Sequence, residues 1–326
     1  MKILVTGCAG FVGRYFTRKF LENDDNSVVG IDNLSAGIHP DEWAVKPRNS
    51  ERFTFKHRDM RSILPALKPS DFDLVIHCAA VVGGRLLIEG DPLKIATDLA
   101  IDADMFNWIV RDKFMPKLIY FSSSAVYPVE LQTRANNCKL HESLQGFTST
   151  RIGLPDFTYG FVKLSGEYLA KFAHEQYGLD VRIYRPFGGY GEEQSFDYPF
   201  PSIVKRVLDG ADPVVVWGSG EQKRDFIHID DVVEVVLHTM HKKELAGRAL
   251  NIGTGIGTSF IDLAKQAQVV LGRPGITVTH DNSKPEGVFA RVADPYEMLR
   301  YWKPKIPLGE GIRRVAKSLD RARIPV

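Results

Sequence analysis

Cysteine is scarce in this chain: Cys8, Cys78 and Cys138 are the only three in 326 residues. Three thiols cannot all pair, and their wide spacing matches no zinc motif. Neither a disulfide framework nor a metal centre is expected, and the usage suits a reducing compartment. Long apolar runs are missing as well, with nothing approaching the roughly 18 residues that a membrane-spanning helix needs. The opening MKILVTGCAGFVG is broken by glycines after a few apolar residues and shows no cleavage-type site, so it is expected to begin the fold rather than to act as a leader. An excess of one charge is absent too. Lys and Arg number 42 against 40 Asp and Glu, a net of +2, and the basic residues are scattered rather than striped. That argues against nucleic acid or an anionic membrane as a partner and leaves a cytoplasmic protein acting on small molecules as the expectation.

What is present is an ordinary globular composition, 44% hydrophobic and 25% charged, with length for a large domain and a smaller appendage. KILVTG, SVVGID, FTFKHRD, LVIHCAA, KLIYFSS and VRIYRP read as buried strands. Between them FVGRYFTRKFLEN, LKIATDLAIDADMFNWIVRDK and YGFVKLSGEYLAKFAHEQYG carry apolar residues at three- and four-residue spacing, the mark of helices. This alternation predicts an α/β, doubly wound parallel sheet of Rossmann type over residues 1–185. A smaller α/β lobe is expected mainly over 186–326, with 226–250, containing DDVVEVVLHTM, packing back on the first domain. PFGGYGEEQSFDYPFP reads as a loop over a site.

TGCAGFVG sets Gly7, Gly10 and Gly13 directly after a strand and at the start of a helix. A tight turn, a close backbone approach to a pyrophosphate and free amides at a helix N-terminus all require that arrangement. Asp32 closes the second strand, where a carboxylate can accept from an adenosine ribose and would repel a 2′-phosphate, so NAD is expected over NADP. Tyr159 and Lys163, four apart, share one helix face. A phenol, with its pKa near 10, is a poor base. A lysine ammonium and a nicotinamide cation close by would favour its phenolate and make Tyr159 a usable acid and base.

Taken together, the glycine loop, GIDN, HCAA, FSSSAVY, the Y-x-x-x-K pair and GEQKRDFIHIDDV resemble the extended short-chain dehydrogenase/reductase family of NAD-dependent nucleotide-sugar epimerases and dehydratases. The resemblance implies that Ser123, four residues before Tyr127, is catalytic with Tyr159 and Lys163. It also implies that Phe11, Val12, Asn33, Asp59, Met60, Ala79 and Ala80 line the cofactor together with the glycines, Asp32, Tyr159 and Lys163. Ser122 and Ser124 are expected to cap backbone at the strand end, and Ser124 also counts as a candidate substrate contact.

Position 125 bears on the reaction. Similar dehydratases and decarboxylases keep a glutamate there, often after an aspartate, because proton transfer beside a ketone needs a second acid/base pair. GDP-mannose 3,5-epimerase and GDP-fucose synthase, which AAVVGG, SSAVYP, WGSGEQ and KPEGVFARVADP resemble locally, keep a cysteine. This chain has Ser124 and Ala125. The expectation that remains is C4 inversion through a transient 4-keto sugar, with 4,6-dehydration, 3,5-epimerisation, 4-keto-sugar reduction and non-catalytic nucleotide-sugar binding as alternatives. Arg224 and Arg291 match family arginines that hold the diphosphate of a nucleotide-diphosphate sugar, and Gly188 stands where the family has a substrate-touching asparagine. The family asparagine early in the helix after HCAA is missing. Trp217 is read as core, and His77 and His228 as satisfied structural histidines. The resemblance further implies a homodimer through helices near 93–112 and 157–177.

Overall fold

The computed structural model describes residues 1–146 and 152–321. Seven strands, β1 (Lys2–Thr6), β2 (Ser27–Asp32), β3 (Phe53–His57), β4 (Leu74–His77), β5 (Lys117–Phe121), β6 (Val181–Pro186) and β7 (Ala249–Ile252), form one sheet in the order β7-β6-β5-β4-β1-β2-β3. Every pairing in it is parallel. Parallel strands buried on both faces must be apolar on both, and β1 shows how: Ile3 and Val5 enter one core, and Leu4 enters the other. The first core is closed by helix α1 (Phe11–Phe20), through Phe16 and Phe20, and by Val232, Val233 and Val236. Those valines belong to DDVVEVVLHTM. The second core is closed by α2 (Thr97–Ile109) and α3 (Phe157–Tyr177).

Helices α4 (Pro199–Leu208), α5 (Ile229–Thr239), α6 (Phe260–Val270) and α7 (Leu308–Arg321) follow. Of these, α4, α6 and α7 enclose a separate core with the strand Val214–Trp217, made of residues such as Val204, Val216, Leu263 and Val315. Three small sheets complete this part; one sets Lys223–Asp225 between Gly257–Ser259 and Ala290–Arg291. DPVVVWG reads as a strand and pairs as Val214–Trp217 with Val278–Asp281, whereas the other two sheets have strands of two or three residues, which carry too few alternations to register in sequence. The long helix expected at 93–113 is instead two, Pro92–Ile95 and α2, parted at Ala96. No helix among the described residues is long and apolar enough to cross a membrane.

A buried ion pair ties α3 to the carboxyl ends of the strands. Arg185 at the end of β6 donates Nε to Glu167 Oε1 at 2.7 Å and Nη2 to Oε2 at 2.6 Å. Ser122 Oγ also donates to Glu167 Oε1, and Arg185 Nη1 reaches the Tyr127 hydroxyl at 3.0 Å. Tyr127 in turn donates to Asn251 of β7 at 2.7 Å. Removing one partner of such a pair leaves a buried charge without compensation. Substitution Glu167→Gln is therefore expected to lower the unfolding free energy by about 3–5 kcal/mol in urea titrations. A loss under about 1 kcal/mol would mean that water reaches the pair.

Candidate active site

The strand ends and α3 bring the expected residues to one edge of the sheet. In the glycine loop, Gly7 has φ +69° and donates its N–H to Ile31 O at 2.8 Å, while a Cβ on Gly13 would stand 2.1 Å from Gly7 O. Only glycine at both positions allows this turn. No side chain caps α1 at Gly10, so the first amides of that helix, those of Phe11, Val12 and Gly13, have no intrahelical acceptor. Asp32 is tied to the loop: Oδ2 accepts from Ala9 N at 2.9 Å and Oδ1 from Leu34 N at 2.7 Å. Open amides at a helix start and a fixed acid at the end of β2 fit a dinucleotide. Ala79 and Ala80 follow β4, Met60 is buried behind β3, and Asn33 Oδ1 accepts from Ser35 N. The Asp59 carboxylate is taken up by the Arg61 amide and guanidinium.

Tyr159 and Lys163 lie on the first turns of α3, with Tyr159 facing the cleft and Lys163, 5% exposed, beneath it. Burial works against the Lys163 charge, but Asp102 and Asp98 outweigh it and hold its pKa above the usual value. Lys163 is an ammonium. Burial also acts on Asp102; the ammonium and His77 outweigh it and keep Asp102 low. Asp102 accepts from the Tyr120 hydroxyl at 2.6 Å and meets His77 Nε2 at 3.1 Å; His77 Nδ1 meets Thr6 Oγ1 at 2.7 Å, so this histidine is satisfied. His228, likewise buried, has its Nε2 3.0 Å from Glu192 Oε2. Asp98 accepts from Val81 N, while its second oxygen is buried without a partner. Burial pushes Asp98 up to about 6 against the pull of Lys163. Asp98 and Asp102 escaped sequence reasoning, although the missing asparagine early in this helix marked the region.

One expectation about the serines is corrected. Ser122 does not cap backbone; it donates to Glu167. The cap is Ser123, whose Oγ accepts from Ala125 N at 3.1 Å, because its extended backbone starts the short helical turn Ser124–Val126. Ser123, Ser124 and Ala125 nevertheless all line the cleft with Tyr159. Trp217 is corrected as well. It is half-buried at the end of its strand and faces the cleft.

Four guanidiniums, those of Arg85, Arg206, Arg224 and Arg291, line the same cleft, as does Gly188 at φ +36°. Arg224 donates only to carbonyls, those of Lys223, Glu286 and Val288, and burial together with Arg291 and Arg85 disfavours its charge. Arg291 donates to Gln132 at 2.7 Å and to Asp156 at 2.7 Å. Asp156 also takes both bonds of Arg85 Nη1, at 3.0 and 2.9 Å, and its amide donates to Ala125 O at 2.9 Å. Asp156 is therefore joined to Ala125 through its backbone, and its side chain lines the same cleft. Burial pushes its pKa up, but Arg291 and Arg85 outweigh that and hold it low, so it is ionised and has no proton to give at neutral pH.

Residues 3–253 match the model of the NAD dependent epimerase/dehydratase family. The chain belongs to that family. The structure of UDP-glucose 4-epimerase from Thermotoga maritima, solved with UDP-glucose, superposes with a TM-score of 0.82 at 25% identity over 99% of this chain and all of that one. UDP-glucuronic acid 4-epimerase from Bacillus cereus, solved with UDP-glucuronic acid and NAD, gives 0.80 at 27% identity over 99% of this chain and all of the other. In sequence, dTDP-glucose 4,6-dehydratase of Shigella flexneri is 27% identical over 97% of this chain and 92% of its own length. The glycine loop, Asp32 and the Tyr159–Lys163 pair all fall within the matched span of this NAD-dependent family.

The position of Asp98 makes a pH signature. A carboxyl whose folded pKa is raised to about 6 binds more protons folded than unfolded, so stability falls as pH rises from about 4 through 6. Asp98→Asn keeps an acceptor for Val81 N and removes the titration. The variant is expected to match the parent near pH 4 and to exceed it by on the order of 1–3 kcal/mol at pH 8 in denaturant titrations. Parallel curves across this range would remove Asp98 as the source.

Proposed function

We propose that this protein inverts C4 of a nucleotide-diphosphate sugar through a transient 4-keto sugar, with Tyr159 as acid and base. The observation that carries the reading is the wall around position 125. Ser123 and Tyr159 share it, the Lys163 ammonium lies behind, and Asp156, whose amide donates to Ala125 O and whose carboxylate lines the same cleft, is held ionised by two guanidiniums. Bound NAD supplies a two-electron acceptor that becomes the donor in the return step. Tyr159 takes the proton of the sugar 4-hydroxyl and gives it back once the ketone has presented its other face. Lys163 stands behind the phenol as a fixed positive charge, and Ser123 donates to the same oxygen. Ser124 and Ala125 offer no second proton-transfer pair for dehydration or for exchange at C3 or C5. Arg224 and Arg291 are assigned to the diphosphate, which suits two guanidiniums on one side of the cleft. The same set could reduce a 4-keto sugar supplied from outside.

The homodimer is part of the same proposal. Phe161 and Phe172, 54% and 45% exposed, lie eleven residues apart and so on one face of α3, an apolar face suited to a second copy. Phe172→Asp is expected to yield monomers in analytical ultracentrifugation; an unchanged mass for the variant would move the interface elsewhere.

Incubation of the purified protein in D₂O with GDP-, UDP-, dTDP- and CDP-sugars should give a C4-inverted product carrying no deuterium on carbon. Tyr159→Phe should lose about 10²–10⁴-fold in turnover with NAD still bound. Deuterium at C3 or C5 would show proton exchange beside a ketone and replace this reading with dehydratase or 3,5-epimerase chemistry.

A further inference from the structure

We propose that Asp156 is a resident counter-ion of the cleft, competing with the ligand's phosphoryl oxygens for Arg291 and Arg85 and so setting how tightly a diphosphate is held and how readily it leaves. The inference rests on the nucleotide-diphosphate reading above and adds a residue to it.

Asp156 stands at the N-cap position of α3, where an aspartate normally accepts an amide of the first turn. It does not: its side chain caps nothing, and its oxygens go instead to Arg291 and Arg85. The cost of that choice is visible in the next residue. Phe157 has φ +53°, a region that a bulky side chain avoids. The Arg85 guanidinium lies over its ring, 4.8 Å from the centroid. A corner that forgoes its cap and takes up backbone strain is built around the carboxylate's other task.

That task is charge balance. Arg85, Arg224 and Arg291 converge: a Cβ on Gly287 would meet Arg85 Cζ at 3.2 Å and Arg224 Nη2 at 3.4 Å, and Asp156 joins Arg85 to Arg291. Asp156, 3% exposed, lines the cleft, so Arg291, one of the two arginines assigned to the diphosphate, already grips an anion there, as does Arg85, which also meets Glu89. A phosphoryl group arriving at Arg291 must share or take its bonds. The exchange swaps one charge-assisted bond for another, which lowers the net gain on binding without lowering specificity for an anion. Asp156 and Arg85 also separate the cleft from a second, mostly apolar cavity bounded by Val129, Leu154 and Phe161, which gives the pair space to withdraw.

The test is calorimetric titration of the NAD-loaded protein with inorganic pyrophosphate, UDP and GDP, with uridine and guanosine as uncharged controls. In Asp156→Asn, the diphosphates and pyrophosphate should bind about tenfold tighter, equivalent to about 1.4 kcal/mol, with the nucleosides unchanged. The salt dependence should steepen, and kcat should fall with slower product release while kcat/KM rises by up to the same tenfold. Equal or weaker binding of pyrophosphate would overturn the proposal and leave Asp156 as a brace for the arginines. Should that variant fold poorly, R85Q/D156N removes one charge of each sign; tighter pyrophosphate binding than in R85Q alone supports the counter-ion, and equal or weaker binding overturns it. If the unsubstituted protein binds no diphosphate, the nucleotide-sugar reading itself falls. If it binds diphosphates but Asp156→Asn gains nothing, only the counter-ion role does.

Discussion

The Glu167–Arg185 pair is the constraint from which the site geometry follows. Both groups are withdrawn from water, and their bidentate contact is supported by Ser122, Tyr127 and, through Tyr127, Asn251. Four separate pieces of chain meet there: the end of β5, the middle of α3, the end of β6, and β7. An uncompensated charge in that position is costly enough to make the arrangement all-or-none. The orientation of α3 against the sheet, and with it the approach of Tyr159 to Ser123, is set by the need to satisfy this one pair.

Charge is partitioned across α3 in a way that matches the two ends of the chemistry. Below the helix, the Lys163 ammonium is matched by Asp98 and Asp102 within a network running through His77 and Thr6. That balance keeps the lysine charged without exposing it, as a phenol asked to act as a base requires. Above, in the cleft, the guanidiniums outnumber the carboxylates they touch. Arg224 and Arg206 bond only to carbonyls and a serine hydroxyl, and Arg291 and Arg85 share Asp156. A buried cation without a carboxylate is expensive unless a ligand completes it. The lower site is self-contained, whereas two guanidiniums of the upper one, Arg224 and Arg206, meet no carboxylate among their hydrogen-bond partners.

The features readable in the chain were those defined by local spacing. Glycines at fixed intervals after a strand dictate the turn at Gly7, an acid closing the next strand lands on that loop, and a four-residue interval puts Tyr159 and Lys163 on one face. None of this needs knowledge of distant residues, because helix and strand periodicities are properties of the backbone. Their order along the chain also carried the resemblance to the family that the comparisons bear out. Local reading failed where the partner was remote. The role of Ser122 depends on Glu167, 45 residues away, and Trp217 faces the cleft because of how its lobe docks, not because of its neighbours in sequence.

By itself, then, the sequence determined a doubly wound sheet, a dinucleotide loop with its acid, and a tyrosine–lysine pair, since each is dictated by short-range geometry. Only the tertiary structure decided that Asp98 and Asp102 hold Lys163 charged, that Ser123 and not Ser122 caps its turn, and that Asp156 is joined to Ala125 through its backbone. The contacts of Asp156 with Arg85 and Arg291 span 71 and 135 residues. No periodicity encodes a pairing at that distance. It is fixed by the cost of leaving buried charges unmatched once the sheet has brought them together.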